Sequence, residues 1–232
     1  MSRLRVVNLG LPKSGTTTLG KALKKSGLKV ADWRIRRLQS TDPDVARHYL
    51  GDLMYTDYFA HGDPLHRLDD FDAFTEISVV RYGQNHWPQM DWGLLSAIIR
   101  HHPGTKFLYS HRDAAQLVES MQRWTNLGSK RLPEFGIPGL PAGYGSKAEE
   151  LICWVEGHRA FCHQVFAGNP NFLEYDILDS EAPKHIGDFL GMKIRWWGTA
   201  NPNRDYLLEP DVPKTDSKIA HTDILDAEGQ AS

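Results

Sequence analysis

Apolar and polar positions change period several times along the chain. The stretch "RLRVVNL" is a short β-branched run that ends in a Gly/Pro turn, and it reads as a strand. In "TTTLGKALKKSG", Leu19, Ala22 and Leu23 recur at helical spacing, and Gly27 stops the helix. "LKVADW" reads as a second strand, so this opening is a βαβ unit, the building block of a parallel sheet covered by helices. From Arg36 to Asp72 the signals are mixed and fix no order of elements. "FTEISVV" is a third strand candidate. "MDWGLLSAIIRHHPG" then gives a helix with Leu94, Leu95, Ile98 and Ile99 on one side, closed by Pro103 and Gly104. "TKFLYSHRD" reads as a buried strand. In "DAAQLVESMQRW", Asp113 can cap a helix that shows Leu117, Val118, Met121 and Trp124 on one face.

Residues 126–146 carry five glycines and three prolines, too many for a regular element. The segment is unusually long for a plain connection, so it reads as a lid or a mobile surface loop. A long helix over "KAEELICWVEGHRAFCHQVFAG", a strand over "NFLEYDIL" and a short helix over "APKHIGDFLG", ended by Gly191, follow. The expected fold is α/β, a three-layer sandwich with a central, mainly parallel sheet. A chain of 232 residues, 41% hydrophobic, can bury a sizeable core as one domain. That domain is expected over 1–206, with a polar, proline-punctuated tail over 207–232.

Charge and cysteine usage narrow the chemistry. A formal net charge of -2 argues against a general nucleic-acid binder, so anion recognition must come from local placement. No stretch approaches the roughly 20 apolar residues that a membrane span needs, and a cytoplasmic protein is expected. Cys153 and Cys162 lie nine positions apart on one expected helix, too far along its axis to bridge, and no Cys/His spacing suggests structural zinc.

The candidate chemistry sits in "VVNLGLPKSGTTTLGKAL". Gly10 and Gly15 have the G-x-x-x-x-G spacing of a phosphate loop, placed between strand and helix. There, inward-pointing amides and the helix N-terminus hold an anion through the backbone. A triphosphate loop would continue with lysine and then serine or threonine. Here Thr16 and Thr17 follow Gly15, and the lysine is Lys13, within the loop. Ser14, Thr16, Thr17 and Thr18 supply neutral donors around that one cation, which fits an anhydride less charged than a triphosphate. No hydrophobic strand ends in an aspartate clearly placed to hold magnesium.

"PKSGTTTL" resembles the 5′-phosphosulfate loop of sulfotransferases that use 3′-phosphoadenosine 5′-phosphosulfate (PAPS), with a P-loop-nucleotide-hydrolase-like fold. That family holds the donor's 3′-phosphate with an arginine at a strand end and a serine eight residues later, and "SHRDAAQLVESM" supplies Arg112 and Ser120 at that spacing. Arginine offers phosphate a bidentate fork. "NFLEYDILDSEAPKHIGDFLG" and "WWGTANPNRD" are similar to the late blocks of the bacterial members. The likeness touches residues 6–24, 104–124 and 172 to about 205. The Arg-Lys-Gly loop that completes the 3′-phosphate site in steroid and phenol sulfotransferases is missing from the sequence, and Arg204 is a candidate replacement.

The resemblance implies in-line transfer of a sulfuryl group, with PAPS as donor, 3′-phosphoadenosine 5′-phosphate (PAP) as product and no metal required. Lys13 would neutralise the departing phosphate. A base must deprotonate the acceptor. Glu76 is the first candidate, roughly where family members carry a histidine or an acidic residue; Asp32 is the second and His86 the third. An ordinary hydrogen-bonded polar residue remains the alternative for each. The other histidines, His101, His102, His158 and His163 among them, read as helix-surface residues, and most of the seven tryptophans as core, with Trp87, Trp92 and Trp124 near candidate site elements. Lys130 and Arg131 would lie near the phosphates if 126–146 closes over the site. The overall charge disfavours a polyanionic acceptor chain, leaving a small hydroxylated metabolite, a lipid head group or a simple glycan. A P-loop-type kinase, disfavoured by Thr16 at the lysine position, and a non-catalytic nucleotide-binding protein on the same fold are the alternatives.

Overall fold

The structure, a computed structural model, describes residues 3–200. Arg204 and the tail expected from Leu207 lie outside the described residues. Strand β1 (Val6–Asn8) leads through the glycine-bearing turn into helix α1 (Thr16–Lys25), then β2 (Val30–Ala31). The stretch that resisted ordering holds helix α2 (Leu50–His61) and a 3-10 turn at His66–Leu68, before β3 (Ala73–Phe74). A hairpin of β4 (Val79–Arg81) and β5 (Gln84–His86) precedes α3 (Trp92–His101), β6 (Lys106–His111) and α4 (Ala114–Gln122). Short α5 (Leu132–Phe135), long α6 (Ala148–Val165), β7 (Phe172–Asp176) and α7 (Ala182–Leu190) complete the described chain.

Five strands form one sheet in the order β2-β3-β1-β6-β7, and every pairing in it is parallel. Alternation along the strands divides the core between the two faces. Val6, Ala73, Leu108 and Tyr175 point to the side where Leu19 and Leu23 of α1 and Ile186 and Leu190 of α7 are buried. Val7, Phe74, Phe107 and Tyr109 point to the other side, against α2, α3 and Cys162 and Phe166 at the end of α6. A third cluster joins α4, α6 and the 126–146 segment over the loop end of the sheet. Among the described residues no helix is long and apolar enough to cross a membrane.

Three expectations need correction. "FTEISVV" is not one strand. Pairing with β1 stops after Phe74, because Ser78 Oγ and backbone N–H both turn back to the Glu76 carboxylate, and Val79 then pairs with His86 in the hairpin. The 126–146 segment is not without regular structure. It holds a π-helical turn at Leu127–Arg131 and helix α5, and Leu127, Leu132, Ile137 and Leu140 are buried. Trp154 Nε1 donates to Pro138 O at 2.8 Å, and Glu150 accepts from Gly145 N at 2.7 Å, which pins the segment to α6. Only Trp87 and Trp154 of the seven tryptophans are buried.

Candidate anion-binding cleft at the carboxyl ends of the strands

From the central strand β1 the chain turns to the β3/β2 side first and to the β6/β7 side later. In such sheets the helices diverge at this switch point and leave a crevice beyond the carboxyl ends of the strands. A cleft of about 830 Å³ opens there. Several side chains and backbone bonds hold its floor. Asn8 Nδ2 donates to Thr75 O at 2.9 Å, tying β1 to the segment after β3. Leu9 N donates to Leu108 O at 2.7 Å, tying the start of the turn to β6. His158, expected at a helix surface, is instead 3% exposed and donates Nε2–H to Leu9 O at 2.8 Å. Burial pushes its pKa down to about 4, so the ring is neutral and the bond to the loop's base persists at ordinary pH.

The turn itself is shaped for close approach. Gly15 has φ 97 and Lys13 has φ 73, a left-handed conformation that a lysine adopts at a cost. At Gly10 a Cβ would collide with Ser110 Oγ, and at Gly15 with the Ile177 side chain. Ser14 is buried and lies 2.7 Å, oxygen to oxygen, from Ser110 of β6. Among the described residues no side chain caps α1, and its first turn holds no acidic residue, so its leading amides can face an anion. Lys13 Nζ lies 3.6 Å from the centre of the Trp124 ring. Burial, and then the Arg112 charge, hold its pKa at about 8.

Arg112 follows β6 directly and lines the cleft. Asp113 spends its carboxylate on the α4 cap, accepting from Gln116 N at 3.0 Å. Arg112 Nε is buried and has no hydrogen-bond partner among the described residues. Ser120, 2% exposed, lines the same wall from α4.

Opposite this cationic side stand two carboxylates. Glu76, just past β3, accepts from Thr16 Oγ1 at 3.1 Å and from Ser78 Oγ. Burial pushes its pKa up to about 7; the two hydroxyls oppose that rise and the Asp32 charge adds to it. Asp32, at the end of β2, accepts from Thr75 Oγ1 at 3.2 Å, and burial raises its pKa as well. The Thr16 contact puts Glu76 at the first residue of α1, where a proton released beside a loop-bound anion could be taken up.

The cleft thus gathers Lys13, Gly15, Thr16, Thr17, Thr18, Asp32, Glu76, Arg112 and Ser120, with Ser14 packed beneath. His86 is not among its lining residues. It sits in the hairpin against Tyr55, with Nδ1 3.9 Å from Asp52. Lys130 is exposed and likewise off the cleft, whereas Arg131 lines it, donating Nη1–H to Val80 O at 2.9 Å. Reasoning from sequence missed Trp33, Ser78, the Ile177–Ser180 turn after β7 and the wall at Trp197, Gly198 and Thr199. Thr18 Oγ1 ties that wall down by donating to Gly198 O at 3.1 Å. The signal available was position: Trp33 and Ile177 follow strands at the ligand-bearing edge of a parallel sheet. No protein-family model matches the chain, and no curated protein matches it at a significant level.

Proposed function

We propose that the protein is a sulfotransferase of P-loop-nucleotide-hydrolase-like fold and cytoplasmic setting. It moves a sulfuryl group from PAPS to a hydroxyl, or an amine, of a small-molecule, lipid or simple glycan acceptor. The observation that carries this reading is the convergence of two motifs about 100 residues apart in sequence, Lys13 to Thr18 and Arg112 with Ser120, on one cleft. The parallel strand order, with β1 central and the turn at its carboxyl end, supports the fold assignment.

In this reading the loop amides and the α1 N-terminus cradle the 5′-phosphosulfate, and Arg112 and Ser120 take the 3′-phosphate. The acceptor oxygen attacks sulfur in line, and its proton passes to Glu76. The bond from sulfur to the phosphate oxygen breaks, and the charge left on PAP is met by Lys13. Glu76, with a pKa of about 7, is suited to taking a proton near neutrality. Asp32 adds negative charge beside it.

Calorimetry of PAP binding without magnesium tests the reading. Binding that weakens in Lys13→Ala is expected, and a preference for magnesium-ATP over PAP would sink it in favour of a kinase. Screening metabolite extracts for sulfated products, with Lys13→Ala as control, would then identify the acceptor.

A further inference from the structure

The two flanks of the cleft differ in what they hold. Lys13, Arg112 and Ser120 belong to the β1 and β6 ends. On the β3/β2 flank the 126–146 segment delivers Arg131, whose Nη1 donates to Val80 O while its Nε is buried without a partner among the described residues. The next residue after Val80, Arg81, holds its guanidinium carbon 5.0 Å from the centre of the Tyr49 ring, and Arg34, whose Nε donates to Arg47 O at 2.6 Å, stands 5.2 Å from the same ring; both lie just beyond the residues that line the cleft, next in sequence to Val80 and Trp33, which do line it. Trp33, 43% exposed and lining the cleft, meets Tyr49 edge-on at 5.0 Å. Among the described residues none of these three arginines has a carboxylate within 4.0 Å. The nearby acids are committed to hydroxyls: Glu76 to Thr16 and Ser78, Asp32 to Thr75.

Arg34 and Arg81 share the Tyr49 ring, and the Arg81 charge also acts on Arg131; like charges so placed repel each other, and an oxyanion would relieve that repulsion. Planar guanidinium forks match carboxylate and phosphate oxygens, and an exposed indole offers an apolar face to whatever links that anion to the reacting group. We infer that the acceptor is a small hydroxylated molecule that also bears a carboxylate or phosphate, its hydroxyl at Glu76 and its anion on the Arg34, Arg81 and Arg131 rim. The inference rests on the sulfotransferase reading and narrows its acceptor. It also refines what overall charge implies: a net charge of -2 weighs against a polyanionic chain but is silent about a local basic rim.

Three phenols of similar size test this on the protein saturated with PAP, which keeps the probes off the donor loop: 4-hydroxyphenylacetate, neutral 4-hydroxyphenylethanol and cationic tyramine. The acetate is expected to bind at least about tenfold more tightly than the neutral probe, the scale of one charge-assisted contact. Arg34→Gln and Arg81→Gln, both at exposed positions, are expected to shrink that preference while PAP binds as before. Equal or tighter binding of the neutral or cationic phenol by the parent protein overturns the inference alone. Failure of the parent to bind PAP removes the sulfotransferase reading and, with it, the inference.

Discussion

Lys13 combines a backbone of φ 73 with an ammonium held over an indole. A β-carbon disfavours that backbone, so Lys13→Gly should be about 1 kcal/mol more stable than Lys13→Ala in chemical denaturation, although both lose the charge. In the proposed sulfotransferase, loss of that charge should weaken PAP binding about 10- to 100-fold, the range for a hydrogen bond to a charged group. With a pKa of about 8, Lys13 also predicts that PAP affinity falls as pH rises above about 8, and that Lys13→Arg flattens the fall in a calorimetric pH series. Glu76 links pH to stability with a definite sign. Its pKa in the folded state, about 7, lies above the ordinary 4.5, so the folded state binds more protons between those values and stability is lost as pH rises through that window. Glu76→Gln should therefore melt above the parent protein at pH 8 and lose that advantage at pH 4, with a difference of up to about 3 kcal/mol. Of the residues gathered in the candidate cleft, those of the loop were legible because the glycine spacing is local, and Arg112 and Ser120 because the sulfotransferase resemblance pointed to that pair. The raised pKa of Glu76 was not, because it depends on burial and on Asp32, 44 positions away in the chain.

At the scale of the element, the turn after β1 works because two glycines let other side chains come close. Gly15→Ala would combine a strained φ with a collision against Ile177, and Gly10→Ala would push apart Ser110 and Ser14. Each is expected to cost about 1–3 kcal/mol in denaturation and to weaken PAP binding along with it. His158→Phe should cost a similar amount by leaving Leu9 O buried without its donor. Helices with one apolar stripe, α1, α3, α4 and α7, were legible from periodicity. The α2 helix was not. Its apolar side chains run from buried Leu50, Leu53 and Met54 through half-buried Tyr55 and Tyr58 to exposed Phe59, so no single stripe marks it. The 126–146 segment hid its turns because prolines and glycines dominate its composition while its four buried aliphatic residues anchor it.

At the scale of the whole molecule, a ligand that binds only the folded cleft raises stability by mass action. PAP at 100 times its dissociation constant should add about 2.7 kcal/mol, read as a rise in melting temperature that Lys13→Ala blunts at the same concentration. The α/β class and parallel sheet were legible from the opening βαβ pattern. The strand order was not, since no local pattern says that β1 pairs with both β3 and β6. That central position has a consequence for how the chain is made. Val6 pairs with Lys106, 100 positions later, so β1 leaves the ribosome long before the neighbour that covers its second edge. At 5–20 residues per second the wait is roughly 5–20 s, during which a β-branched strand has an open edge. Closing so long a loop is also slow in free solution. A chain cut before β6 should stay unfolded and aggregate, and newly made full-length protein should depend on a chaperone that shields Val6 and Val7 until β6 emerges.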